Sequence, residues 1–185
     1  MNGRDHLIKR MQELENQGLS CVGCQGTCCT FEANSMMVTP LEAFDLLHYL
    51  KTQGQLTLEL KTKCEEATQK YRLDHQVGNG KRSYLRRTYT CPFFNHHELG
   101  CPLPREVKPY GCLAFNAHHA EKKASEHCYS EKALLEEREK QHLWEVEKNQ
   151  WLKTKFNLFW EKSPLPTALL DIWNLEISAE DLSPN

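Results

Sequence analysis

Four cysteines fall within one short string, Cys21-Val22-Gly23-Cys24-Gln25-Gly26-Thr27-Cys28-Cys29, and three more follow at Cys91, Cys101 and Cys112. Thiols grouped in this way serve as disulfides, as metal ligands or as redox groups. In a C-x-x-C turn two sulfurs can converge on one ion at about 2.3 Å each, with backbone N–H groups of the turn donating to sulfur. Gly23 removes side-chain bulk from that turn, and Gly26 leaves the backbone free to bring Cys28 or Cys29 to the same centre. Adjacent cysteines point in divergent directions, so either one ligates while the other packs, or the two serve different metals of a cluster. In the second group each cysteine stands beside a turn former: Cys91-Pro92, Gly100-Cys101-Pro102 and Gly111-Cys112. Metal ligation is the expected role of all seven residues; the plainer alternative is that several are buried small apolar side chains.

Composition narrows the choice among the uses of sulfur. The chain has 185 residues, enough for a sizeable core without disulfide staples. Its nine cysteines are an odd number, which a closed disulfide framework cannot use completely. The opening stretch, MNGRDHLIKR, has no apolar central run and does not read as a secretory signal. No segment approaches the roughly 20 apolar residues of a membrane-spanning helix. The expected location is cytoplasmic, with no membrane partner, where thiols are kept reduced. A formal net charge of −2 gives no global attraction to nucleic acid or anionic lipid.

The remaining candidate ligands divide by context. Cys64 falls on the apolar face of an expected helix and reads as core. Cys128, in His127-Cys128-Tyr129, either completes a site or is an interior thiol. His96-His97 and His118-His119 flank the second cysteine group, but neighbouring histidines in polar loops read as solvent-facing.

The elements that must position these groups are mostly helical. Leu7, Met11 and Leu14 recur at helical spacing from about Asp5 to Gln17, with Gly18 as a stop. The first cysteine loop follows directly, and Phe31 to Val38 is a candidate short strand. Thr39-Pro40-Leu41-Glu42 marks a helix start, with threonine as cap, proline in the first turn and glutamate as the capping-box partner. Ala43, Leu46, Leu47 and Leu50 form its buried stripe until Gly54. A third helix is expected over Leu56 to Leu73, with Leu60, Cys64, Ala67 and Tyr71 on one face. After the turn Gly78-Asn79-Gly80, Ser83 to Thr90 suggests a strand. Four prolines and two glycines make Cys91 to Phe115 rich in loops, a segment that needs a cross-link to stay ordered. Glu121 to Lys162 reads as one long charged helix, ended by Ser163-Pro164-Leu165-Pro166, and Thr167 to Leu175 folds back on the body. The expected class is mainly α: a small helical domain with an irregular cysteine-rich metal-binding region, one or two short strands and a long C-terminal helix. The expected division is a cysteine-cluster domain over 1–118 and a helical extension over 119–185.

The ordered set C-x-x-C-x-G-x-C-C, C-P-F-F, G-C-P and K-P-x-x-C-x-x-F resembles the YkgJ-type cysteine-cluster family. The likeness runs from about Ser20 to Phe115 and includes the helix start M-x-V-T-P-x-E. The resemblance implies a zinc- or iron-chelating domain. Family members usually carry arginine before the proline and after the last cysteine of the final motif, where this chain has Lys108 and Leu113; lysine does not make arginine's planar two-pronged contact. A relative with a similar cysteine pattern, the flagellin lysine methylase, implies that some members transfer methyl groups.

Three functions compete. The first is a metal-binding protein holding an iron–sulfur cluster through thiolates of both cysteine groups, with zinc in a structural or interaction role as the alternative; seven cysteines exceed the four that one structural zinc requires. The second is a metal-dependent methyltransferase or redox enzyme. For it there is no phosphate-cradling glycine loop, and the Cys21–Cys28 spacing does not follow the radical-adenosylmethionine order. A nucleophilic pairing of Cys101 or Cys112 with a loop histidine stays open. The third is nucleic-acid binding through Lys81, Arg82, Arg86 and Arg87 with Tyr84 and Tyr89, a pattern that reads first as a solvated strand face. The charged helix with Trp144, Trp151 and Trp160 reads as a packing or protein-docking element.

Overall fold

The computed structural model describes residues 3–17, 26–74, 87–97, 100–117, 128–130 and 132–183. The fold is mainly helical, with two small antiparallel ladders among the described residues. The chain forms two compact units, each assembled from separated stretches: Met1–Asn34 with Tyr89–His142, and Ser35–Thr88 with Leu143–Asn185.

The first unit is built on helix α1 (Asp5–Glu15), whose Leu7, Met11 and Leu14 are buried as the helical spacing requires. Leu7 and Met11 form a core with Tyr110, Leu113 and Ala114, and Ile8, Leu134 and Leu135 pack against it. Tyr110 and Leu113 belong to the one-turn helix α4 (Tyr110–Leu113). Leu134 and Leu135 come from α5 (Lys132–Gln141). Two short strands, β2 (Phe115–Ala117) and β3 (Cys128–Ser130), pair antiparallel with Asn116 opposite Tyr129. An ion pair between Arg105 and Glu15 ties the 3-10 turn Arg105–Val107 to the end of α1.

The second unit holds α2 (Pro40–Thr52), α3 (Leu58–Tyr71), α6 (Trp144–Phe156), α7 (Leu165–Ile172) and α8 (Ala179–Leu182). Thr39 caps α2 as its sequence demands. Its hydroxyl accepts from the Glu42 N–H, and the Glu42 carboxylate accepts from the Thr39 N–H at 2.9 Å. Two further contacts fix α6 on α2: Asn149 Oδ1 accepts from the Leu41 N–H at 2.8 Å, and the Phe44 and Phe156 rings lie 4.6 Å apart. Helix α7 packs on α2 and α3, burying Leu165, Ala168, Leu169 and Ile172, so the apolar tail folds back as expected. Strands β1 (Met37–Val38) and β4 (Ser163–Pro164) pair antiparallel beside it.

Three expectations need correction. The long helix over Glu121 to Lys162 is not continuous among the described residues: Cys128–Ser130 is a strand, and α5 ends before α6 begins at Trp144. The buried positions Arg138, Glu145, Lys148 and Leu152 keep helical phase across this break, so periodicity alone does not reveal it. α5 belongs to the first unit and α6 to the second. The strand over Phe31 to Val38 shrinks to Met37–Val38, because Phe31 to Ala33 form a turn held by bonds from the Ala33 and Asn34 N–H groups to the Thr30 carbonyl. Of the strand over Ser83 to Thr90, residues 83–86 lie outside the described residues and 87–90 belong to no strand; the Tyr89 N–H donates instead to the Asn34 carbonyl.

Candidate functional site

The described cysteines of the expected site come from three places in the first unit. Cys28 and Cys29 sit on a 3-10 turn (Thr27–Cys29) whose start is fixed by Gly26. Gly26 has φ +76°, and a Cβ there would collide with the Phe94 ring. That ring is buried and meets the His96 ring edge-on at 4.8 Å. Cys91 opens the C-P-F-F turn, closed by a bond from the Phe94 N–H to the Cys91 carbonyl. The same residue donates its own N–H to the Cys29 carbonyl at 2.8 Å, which joins the two cysteine groups through their backbones. Cys101 leaves the Asn95–Gly100 bridge, and Cys112 lies on α4. Proline is well placed at Pro109, just before this helix, because its fixed φ suits the approach to a first turn.

These sulfurs sense one another. Burial pushes the Cys112 thiol well above its ordinary range, and the neighbouring Cys91, Cys29 and Cys101 push it further, while the Lys108 ammonium opposes them. Cys101 is raised mainly by burial; Lys108 and the Leu103 backbone N–H favour its thiolate, and Cys29 disfavours it. Cys112 is thus within electrostatic reach of Cys29, Cys91 and Cys101, and Cys101 of Cys29, all four side chains being partly buried. Among the described residues no group of three or more His, Cys, Asp or Glu side chains is placed as a metal-holding set, so the four sulfurs adjoin without converging to ligand distance.

The other candidates fall as follows. The Cys28 sulfur is 3.9 Å from that of Cys29, so the adjacent pair holds its sulfurs together and does not diverge as its place in the sequence suggests. Cys64 is fully buried on α3 in the second unit, where burial and Glu65 push its thiol up to about 12. It is a core residue, as its helical position indicates. His96 and His97 are exposed. Cys21, Cys24, His118 and His119 lie outside the described residues, and Cys128 is described only through the backbone of β3. No helix among the described residues is long and apolar enough to cross a membrane.

Two groups of residues around the site carry no motif of their own. Lys108, whose place in K-P-x-x-C marks it only as a departure from arginine, is the cation next to Cys101 and Cys112. Arg4 and Arg138, each 3% exposed, stand over the Tyr110 ring with guanidinium carbons 5.0 and 3.2 Å from its centroid. The spacing of K-P-x-x-C could have pointed to Lys108; nothing in the sequence marks the arginines, which are brought in by tertiary packing.

No family model matches the chain, and neither the curated proteins nor the solved structures give a match.

Proposed function

We propose that the chain is a metal-binding protein whose first unit holds an iron–sulfur cluster through Cys29, Cys91, Cys101 and Cys112, with Cys21 and Cys24 as further thiolates of the centre and zinc as the alternative metal. The observation that carries this reading is that the Cys91 N–H bonds to the Cys29 carbonyl at 2.8 Å, joining the two cysteine groups, with Cys29, Cys91 and Cys101 all within electrostatic reach of Cys112. Partly buried thiols set side by side repel one another once ionised, and a bound cation turns that repulsion into attraction. The donor set is also chemically apt, since soft thiolates select zinc and iron–sulfur centres over hard cations. Of the adjacent pair, Cys29 is the thiol within electrostatic reach of Cys101 and Cys112. A supply of thiols beyond four favours a cluster over a single structural zinc. The ordered cysteine motifs, which resemble those of the YkgJ-type family, agree with this reading.

When bound, an iron–sulfur cluster supplies one-electron chemistry, whereas zinc supplies a structural cross-link. The protein's own part is to deliver the sulfurs. Gly26 and Phe94 set the first turn, the Cys29–Cys91 backbone bond aligns it with the second, and α4 presents Cys112 from the core. Closing the sulfurs onto an ion also requires release of the protons that burial holds on Cys101 and Cys112. Anaerobic purification followed by elemental analysis and an ultraviolet–visible spectrum tests the reading. Stoichiometric iron with visible sulfur-to-iron absorption supports a cluster. Colourless protein with stoichiometric zinc replaces it with the alternative, and protein free of both metals overturns the proposal.

A further inference from the structure

Cys28 and Cys29 hold their sulfurs 3.9 Å apart, and both side chains are partly exposed. The backbone that carries them is tied on two sides. The Cys29 N–H donates to the Gly26 carbonyl at 2.7 Å, and the Cys29 carbonyl accepts from the Cys91 N–H at 2.8 Å. Between those bonds the 3-10 turn Thr27–Cys29 carries both thiols on one short arc. A direct disulfide suits this pair poorly. Consecutive Cα atoms lie about 3.8 Å apart across a trans peptide, closer than the roughly 4.4 Å at which the usual disulfide range begins. A single bridging atom suits it well. Two bonds of about 2.3 Å meeting at roughly 100–110° leave their sulfurs about 3.5–3.8 Å apart, within a few tenths of an ångström of the separation already present.

We propose that Cys28 and Cys29 form a two-sulfur clasp for a soft, trivalent metalloid, an organoarsenic oxide R–As=O being the representative ligand. Thiols select soft partners over hard ones, and an arsenic centre with one organic substituent has two places for sulfur. On binding, two S–H bonds and the arsenic–oxygen bond break and two arsenic–sulfur bonds form. The two protons leave with the oxygen as water. Arsenic stays trivalent, so no oxidant or reductant takes part. Once the first sulfur has bound, the second reacts within the same molecule at a high effective concentration, an advantage that a single thiol lacks. The clasp goes beyond the metal reading and does not rest on it. Where Cys29 is committed to a metal the clasp is one sulfur short, so it belongs to the metal-free chain.

The test treats the full chain, reduced and metal-free, with one equivalent of phenylarsine oxide. Free thiols are then alkylated with iodoacetamide, the arsenical is stripped with excess small dithiol, and the thiols it releases take isotopically labelled iodoacetamide. Peptide sequencing by mass spectrometry assigns that second label to individual cysteines. It is expected on Cys28 and Cys29 in equal amounts. Cys28→Ser, checked for folding by far-UV circular dichroism, is expected to need at least about tenfold more arsenical for half-maximal protection of Cys29. A second label on any other pair of cysteines, or on Cys29 without Cys28, overturns the inference. So does a Cys28→Ser protein whose Cys29 is protected at the wild-type concentration. Each of these failures leaves the metal reading standing, because elemental analysis tests that reading separately.

Discussion

The backbone N–H of Cys91 donates to the carbonyl of Cys29 over 2.8 Å, so the two cysteine groups, far apart in sequence, meet through their main chains. Near that bond Cys29, Cys91 and Cys101 lie close enough to Cys112 to disfavour its ionisation. Main-chain pairing matters here because it holds whether or not the sulfurs are ionised.

Of the adjacent cysteines, Cys29 is the one within electrostatic reach of Cys101 and Cys112. Cys29→Ser is expected to lower metal content per chain to below about half of wild type, because it removes a thiolate from the shared set, whereas Cys28→Ser leaves it near the wild-type value. Metal analysis after identical purification checks the pair. Equal losses in both variants contradict the assignment of Cys29 as the ligand.

Metal affinity rises with pH. Cys101 and Cys112 hold their protons above the ordinary thiol range in the metal-free protein, so at neutral pH both are protonated and both protons must leave when an ion binds. Acid therefore competes with metal, and the logarithm of the Zn2+ association constant increases by about two or more per pH unit between about pH 6 and 8. A chelator-competition series across that range measures the slope; a flat profile rules out thiolate ligation by these residues.

Gly26→Ala strains the first cysteine turn twice over, through the positive φ and through the Phe94 ring. The expected loss is about 1–3 kcal/mol in unfolding free energy. Because Phe94 closes the Cys91 turn, metal uptake is expected to fall as well. Thermal melts and metal analysis on the same preparation check both effects.

Cys64 contributes to the second unit and not to the centre. Its thiol releases a proton near 9.0 when unfolded and only near about 12 when folded, so its stabilisation is complete below pH 9 and fades as pH rises toward 12. The fading approaches about 1.4 kcal/mol per pH unit over that window. Cys64→Ala is expected to be less stable by about 1–2 kcal/mol at pH 7, from the lost buried sulfur, yet to lose less stability between pH 9 and 11. Its metal content is unchanged. Denaturant unfolding at several pH values measures the slopes, and parallel slopes for the two proteins contradict this account.

Thr39→Ala removes the hydroxyl that accepts from the Glu42 N–H and breaks the capping box of α2. Loss of about 1 kcal/mol is expected, with metal content unaffected because the candidate ligands lie in the first unit. Denaturant melts and elemental analysis distinguish this from a general defect.

Local signals made much of this legible in the sequence. The Thr39–Glu42 box, the Leu7–Met11–Leu14 stripe and the core position of Cys64 follow from spacing within a few residues, and each has the structure its chemistry dictates. The proline beside Cys91 likewise marks the turn that the Phe94 N–H closes on the Cys91 carbonyl. Long-range demands were not legible. The helix between Lys132 and Phe156 keeps its phase through a break between the two units, and the short strand at Cys128–Ser130 owes its existence to pairing with Phe115–Ala117. Arg4 and Arg138 meet at Tyr110 only through tertiary packing, which no spacing in the chain encodes.

Metal-edge X-ray absorption on protein purified without oxygen examines the sulfur centre most directly. The account predicts a first shell of about four sulfur atoms at about 2.3 Å, lost in a Cys29→Ser, Cys112→Ser double variant. A first shell made of oxygen or nitrogen, or one that survives unchanged in that variant, contradicts it.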